Sequence, residues 1–176
     1  MRLRRTTIEK SVLTAVLTAW FVAGPQVGYD CGLAPKGPLY GHLLYMISHA
    51  NVWHLLGNVF VLWIIKGRLY LTASAVTAFL ASFMPAFGLI WPLEDATMGF
   101  SGVIFAIFGV QWGVYCQSFW PGGREIMREA LGEFSVKALP FAVLGMVVPH
   151  VNWCLHLYCL LGGFAYGRWR WKHFLR

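Results

Sequence analysis

The chain has 176 residues, of which 58% are hydrophobic and only 12% are charged, and its formal net charge is +7. Soluble domains carry about 25% charged residues, so the composition excludes an ordinary soluble domain and is typical of a polytopic membrane protein. The Lys and Arg residues cluster at the termini and in short connectors, which argues against nucleic acid as a partner. The length fits a single domain over residues 1–176.

Six apolar segments are predicted to span a membrane as helices, because a span needs about 20 apolar residues. The first segment follows a basic stretch, as a signal peptide would. It contains no evident small-residue cleavage site, so we interpret it as a retained span. The expected fold is therefore an all-α bundle of six transmembrane helices. In chain order the segments are 11–27, 42–65, 69–91, 99–119, 134–149 and 152–171.

The charged residues predict the orientation of these helices. If the N-terminus lies inside, Lys36 is the only one of the 14 Lys and Arg residues that falls on the outside. Asp30, Glu94 and Asp95 also fall outside. Because cytoplasmic connectors carry an excess of Lys and Arg, we expect an N-in, C-in, multi-pass protein. Its small size favours the inner (cytoplasmic) membrane of a bacterial-type cell.

Polar residues of three helices fall at a similar depth near the outer face. Ser101 lies at the outer end of the fourth helix, and His156 lies about one turn into the sixth. His49, His54 and Asn58 lie in the outer half of the second helix. A serine hydroxyl becomes a nucleophile when a base accepts its proton, and His156 is the candidate base. No Asp or Glu lies in a predicted span near them, so the pattern predicts a Ser-His dyad.

Helical spacing predicts which side chains support this dyad. His54 and Asn58 are four residues apart and share one helix face, so both are candidate donors to the oxyanion, together with the Ser101 backbone N–H. Phe105 lies one turn below Ser101 and is expected to stack on the His156 ring. His49 is rotated off the His54 face and is expected to be structural.

The sixth helix carries a narrow stripe of mostly small residues below the histidine. Small residues at four-residue spacing let helix backbones approach closely in lipid, which would bring the imidazole of His156 to a serine on a neighbouring helix. The stripe consists of His156, Cys159, Gly163 and Gly167.

At these positions the chain resembles the rhomboid intramembrane serine proteases. The segment HANVWHLLGN, residues 49–58, is similar to the second-helix signature of that family, and Gly99-Phe100-Ser101-Gly102 is similar to its nucleophile motif. The segment HVNWCLH, residues 150–156, resembles the approach to its catalytic histidine. The likeness runs in the family's order over about residues 40–168.

The resemblance implies cleavage of transmembrane segments of other proteins near the outer face, with Ser101 as nucleophile and His156 as base. It also implies that His54 and Asn58 bind the oxyanion, that Gly99 and Gly102 support the nucleophile, and that the partners are membrane substrates and the bilayer. The oligomeric state is not predicted. The family usually has glycine where this chain has Cys159, next to the bulky Tyr158, which predicts a wider contact between the fourth and sixth helices.

Two other classes of function stay open. A catalytically silent rhomboid-like protein would bind membrane clients without cutting them. A haem protein would hold iron between two membrane histidines such as His54 and His156, and a transporter is a weaker possibility. Neither haem nor transport accounts for the Gly-Phe-Ser-Gly motif or for Asn58. The chain has no H-E-x-x-H motif and no C-x-x-C spacing, so no metal or cofactor is predicted.

Overall fold

The computed structural model describes residues 2–24, 31–34, 37–85, 96–116, 136, 140 and 151–174. Within these residues the protein is all-α, with an isolated antiparallel bridge between Leu33 and Thr97. The predicted helix over 134–149 lies outside the described residues, apart from residues 136 and 140. The described helices are α1 (Arg2–Ala23), α2 (Gly41–Leu44), α3 (Val52–Ile64), α4 (Leu71–Ala81), α5 (Ser101–Tyr115) and α6 (Trp153–Phe174).

Helix α5 is the centre of the described structure. Every residue from 102 to 110 is buried, as is expected of a helix that is apolar on all its faces. Helix α6 packs against α5 along most of its length, and α4 contacts both of them. The fold thereby places the first residue of α5 beside the first turn of α6.

The single helix predicted over 42–65 is wrong. Helix α2 ends at Leu44 and α3 begins only at Val52. Asn51 has an extended backbone, and its side chain accepts a hydrogen bond from the His54 N–H at 2.9 Å. Asparagine is a favoured N-cap because it satisfies an otherwise unpaired N–H of the first turn. The break therefore moves His49 out of the helix and into the loop before it.

The ends of the other helices also differ from the predicted ones. Helix α1 begins at Arg2, well before residue 11, and an ion pair between Arg5 and Glu9 (3.2 Å) spans one of its added turns. Helix α4 covers only Leu71–Ala81 of the predicted 69–91. Helices α5 and α6 lie close to their predicted positions. None of the described helices is both long enough and apolar enough to cross a bilayer.

Two contacts hold the end of α3 and the turn that follows it. The buried ammonium of Lys10 on α1 donates hydrogen bonds to the carbonyl oxygens of Trp63 and Ile65. These carbonyls lie where a helix leaves its last acceptors unpaired, so the lysine ties α1 to α3. On the other side, the Gln111 amide of α5 donates to the carbonyl oxygens of Lys66 and Arg68, each at 2.9 Å. Helix α3 is thereby attached to the rest of the described structure at the end far from the polar residues.

Candidate active site

Ser101 and His156 lie within hydrogen-bonding distance of each other. Ser101 is the first residue of α5, and His156 is in the first turn of α6. The Ser101 Oγ and the His156 Nε2 are 2.8 Å apart. This is the separation at which an imidazole can accept the hydroxyl proton, so the two residues predicted to form the dyad are brought together.

The imidazole of His156 is oriented by an aromatic ring. The Phe105 ring lies nearly parallel to it, with ring centroids 4.5 Å apart and an interplanar angle of 16°. The buried Nδ1 of His156 has no hydrogen-bond partner among the described residues. No described carboxylate therefore orients the ring from its far side, and the ring position depends on this stack and on where α6 places its first turn.

Glycines bring the backbones of α5 and α6 into contact below the pair. A Cβ atom added at Gly109 would collide with the carbonyl oxygen of Leu160, and one added at Gly163 would collide with the carbonyl oxygen of Ala106. Both obstacles are backbone atoms that cannot rotate away. Gly163 is thus a close-packing residue, and the small-residue stripe predicted on the sixth helix does lie against its neighbour.

The wider contact expected from Cys159 and Tyr158 is not present. Cys159 is fully buried, and its sulfur lies 3.4 Å from the position that a Cβ of Gly102 would occupy. Because Gly102 has no side chain, the thiol fits between the helices without separating Ser101 from His156. Tyr158 points elsewhere and lines a groove between α4 and α6. The predicted widening was based on α6 alone, whereas Gly102 on α5 leaves the space that the Cys159 sulfur occupies.

His54 and Asn58 lie on α3 and face the same cavity as the Ser-His pair. Asn58 is buried, and its Nδ2 donates a hydrogen bond to the His54 carbonyl oxygen at 3.0 Å, which leaves the second amide hydrogen unused in that bond. The two side chains share one helix face, as their spacing predicts. The structure therefore brings an amide donor and a second imidazole to the wall of the cavity.

Gly99 is required where the chain turns into α5. Its φ angle is +127°, a conformation that residues with side chains rarely adopt. A Cβ at this position would lie 2.6 Å from the Nε2 of His54 and 3.5 Å from the Nδ2 of Asn58. A side chain here would therefore strain the backbone and clash with the His54 ring, whereas the Asn58 amide is at an ordinary contact distance.

His49 does not line the cavity. It is buried in the loop before α3, where its Nδ1 lies 3.2 Å from the carbonyl oxygen of Ile47. Its ring meets the His54 ring edge-on, with centroids 5.2 Å apart and an interplanar angle of 69°. Its place on a helix was predicted wrongly, and its structural role remains a prediction.

The cavity has a volume of about 260 Å³ and is lined by both polar and apolar residues. Its volume is close to the lower end of the range for small-molecule sites, so it would accommodate a side chain and not a whole ligand of drug size. The polar lining residues are His54, Asn58, Thr97, Ser101, Asn152 and His156, and the apolar ones include Val61, Ile104, Phe108 and Leu155.

Three residues at the site were missed by the sequence analysis. The carbonyl oxygen of Tyr45 accepts a hydrogen bond from the Gly99 N–H at 2.8 Å. Asn152 caps α6 and donates to the Thr97 hydroxyl at 3.1 Å. An asparagine directly before an apolar helix is a recognisable N-cap signal, so the cap of α6 was predictable. Nothing in the spacing of Tyr45 or Thr97 indicates their contacts.

The described residues contain no group of three or more His, Cys, Asp or Glu side chains that could hold a metal ion. In the haem alternative the Nε2 of His156 would ligate iron, but this atom lies against the Ser101 hydroxyl. The site as folded thus has the composition of a serine hydrolase: a hydroxyl, an imidazole next to it, and polar donors on a nearby wall.

Comparison with known families supports the same class of protein. The family model described as the Rhomboid domain matches residues 36–173, which is well over half of the chain. The chain belongs to the rhomboid family, whose members are integral membrane proteins and include intramembrane serine proteases as well as inactive relatives. Comparison with curated proteins and with solved structures found no significant match.

Proposed function

We propose that the protein is an intramembrane serine endopeptidase that cleaves transmembrane segments of other membrane proteins near the outer face. The observation that carries this proposal is the 2.8 Å contact between the Ser101 Oγ and the His156 Nε2, two residues that line the same cavity. Membership of the rhomboid family supports it. No cofactor is required, because the reaction needs only a nucleophile, a base, oxyanion donors and water.

In the proposed reaction, His156 accepts the hydroxyl proton while the Ser101 Oγ attacks the scissile carbonyl. The oxyanion that forms is stabilised by the amide of Asn58, the ring of His54 and the Ser101 backbone N–H, which lies at the start of α5, where helix N–H groups are unpaired. His156 then gives its proton to the leaving amine. Water attacks the acyl-enzyme with His156 again as base, and Ser101 is released.

The dyad is proposed to act within a six-span membrane domain on substrates that unwind. Six spans would place both termini inside and the dyad near the outer face of a bacterial-type inner membrane, as the charge distribution indicates. A substrate helix must unwind before its backbone reaches Ser101, and lipid cannot replace the hydrogen bonds that it loses. Substrates with small or helix-breaking residues near the outer face are therefore expected.

The main alternative is a silent relative that binds membrane helices without cutting them. Cys159 and Tyr158 favoured this reading at the level of sequence, but Gly102 accommodates the Cys159 sulfur and the Ser-His contact is kept. The geometry of the described residues thus gives the alternative no support.

The proposal is tested with the wild-type protein in lipid vesicles together with a model single-span substrate. We expect two products whose new termini, measured by mass spectrometry, lie within the substrate's transmembrane segment near its outer end. Capture of the intact substrate without products would support the silent reading. A Soret band in the visible spectrum of the purified protein would support the haem reading.

Asn58→Ala is expected to lower kcat for this cleavage by about 10²–10³-fold, the usual loss when one oxyanion donor is removed. KM should change little, because the donor acts on charge that develops in the transition state. Asn51→Asp is the matched control on the same helix, since a carboxylate keeps the cap acceptor that binds the His54 N–H. A kcat for Asn58→Ala within a few fold of wild type would remove Asn58 from the mechanism.

A further inference from the structure

Ser101 and His156 lie in the first turns of two different helices, so their contact requires that these two turns keep a fixed position relative to each other. The glycines that bring α5 and α6 together lie two turns or more below Ser101, at Gly109 and Gly163. They set how closely the two backbones approach. At the level of the pair itself, a hydrogen bond from Asn152 to Thr97 links the segment before α6 to the segment before α5.

Asn152 bonds both to the first turn of α6 and to Thr97. Its side chain is buried, its Oδ1 accepts the Leu155 N–H at 3.0 Å, and its backbone carbonyl accepts the His156 N–H at 3.3 Å. These two bonds fix the first turn of α6 relative to Asn152. The Nδ2 of Asn152 then donates to the Thr97 Oγ1 at 3.1 Å. The turn that carries the candidate base is therefore tied to Thr97.

Thr97 is itself held in place. Its backbone N–H and carbonyl form two hydrogen bonds with Leu33, each of 2.8 Å. Two residues further on, the Gly99 N–H donates to the Tyr45 carbonyl, also at 2.8 Å, and α5 begins at Ser101. The segment that leads to the candidate nucleophile thus has little freedom to slide, and a hydrogen bond to Thr97 is a bond to a fixed point.

The imidazole is not oriented from its far side by a polar group. Its Nδ1 has no hydrogen-bond partner among the described residues, and its ring stacks on Phe105. In a triad, a carboxylate bound to Nδ1 orients the ring. Here a small shift of the α6 first turn would move the Nε2 directly away from the Ser101 Oγ.

We propose that Asn152 is a positioning residue, and that its hydrogen bond to Thr97 sets the distance between the Ser101 hydroxyl and the His156 imidazole. This inference rests on the proposed function, because it concerns the reactivity of the same serine. Asn152 acts through α6 and does not take part in the proton transfers. A displacement of about 1 Å at a reacting pair costs on the order of 10²-fold in rate.

The test uses variants that cut the link and leave the helix cap in place. Asn152→Ser keeps a good N-cap oxygen but is too short to reach Thr97, and Thr97→Val removes the hydroxyl with little change of shape. Thr97→Ser keeps the hydroxyl and is the matched control. In the full-length protein in vesicles, the rate at which a fluorophosphonate labels Ser101 is measured beside the unfolding temperature and the kcat and KM for a single-span substrate.

We expect Asn152→Ser and Thr97→Val each to slow labelling by about 10- to 100-fold. Substrate kcat should fall with KM unchanged, the unfolding temperature should stay close to that of wild type, and Thr97→Ser should label normally. The double variant should be no slower than the slower single variant, because both changes remove the same bond.

Labelling at the wild-type rate in both single variants would overturn the inference while leaving the proposed function intact. Losses that follow a fall in unfolding temperature would also overturn it, because they would show a general structural role. If Asn152→Ser does not fold, Thr97→Val and Thr97→Ser decide the matter. A folded wild-type protein that neither labels nor cleaves would mean that the proposed function fails, and the inference with it.

Discussion

Ser101→Ala is expected to abolish cleavage of a transmembrane substrate, with a loss in kcat of about 10⁴-fold or more, because the acyl-enzyme forms on the Ser101 hydroxyl. His156→Ala should cause a loss of similar size, since the hydroxyl then has no base. The two losses should not add in the double variant, because the residues act as one unit. The measurement is the initial rate of product formation in vesicles, together with the unfolding temperature of each variant.

The structure offers a matched control for this experiment. His42 and Ser82 form a second pair with the same composition, with 2.9 Å between the His42 Nδ1 and the Ser82 Oγ. The Ser82 hydroxyl donates to the Phe79 carbonyl at 2.6 Å, so its proton is already engaged, and neither residue lines the cavity. Ser82→Ala and His42→Ala should therefore leave cleavage close to the wild-type rate. Cleavage that survives Ser101→Ala would contradict the mechanism.

Gly163→Ala is expected to lower stability and activity together. The added methyl group would collide with the Ala106 carbonyl, and α5 and α6 would have to separate. Overpacking of this kind costs about 1–3 kcal/mol of stability. Because Ser101 and His156 lie on these two helices, we also expect kcat to fall by about 10²-fold. Gly109→Ala should behave alike, since its methyl group would meet the Leu160 carbonyl.

The measurements are the unfolding temperature and the rate of fluorophosphonate labelling of Ser101. Gly57→Ala is the control for stability, because a Cβ at Gly57 on α3 would meet no atom within 4 Å. Its unfolding temperature should equal or exceed that of wild type, as alanine favours a helix over glycine. If Gly163→Ala unfolds and labels like wild type, then the close approach of the helices does not govern the site.

The contrast between the two Ser-His pairs shows why distance alone does not define a nucleophile. Ser82 and His42 are as close as Ser101 and His156, yet the hydroxyl of Ser82 already donates to a carbonyl and does not line the cavity that Ser101 lines. Ser101 begins a helix, where its backbone N–H has no partner in the preceding turn, and it lines the same cavity as Asn58. The two serines therefore have nearly equal distances to a histidine, but they differ in what else surrounds the hydroxyl.

Much of the site could be predicted from the sequence because its signals are local. The rarity of polar side chains in apolar segments marked Ser101, His156, His54 and Asn58, and helical spacing placed Phe105 one turn from Ser101. The structure brings Ser101, His156 and Phe105 into contact and puts His54 and Asn58 on the same cavity. The order of the motifs also indicated the rhomboid family, which the family match shows.

What only the tertiary structure decided are the relations between segments that are distant in the chain. The thiol of Cys159 fits because Gly102 leaves space on another helix, and neither residue reveals this alone. His49 lies in a loop and not in the predicted helix, because Asn51 caps the helix and starts it at Val52 despite the apolar pattern before it. The bond from Asn152 to Thr97 joins residues 55 positions apart. Periodicity and charge determine which faces are buried and how helices are oriented, whereas contacts of this kind depend on how two folded surfaces fit each other.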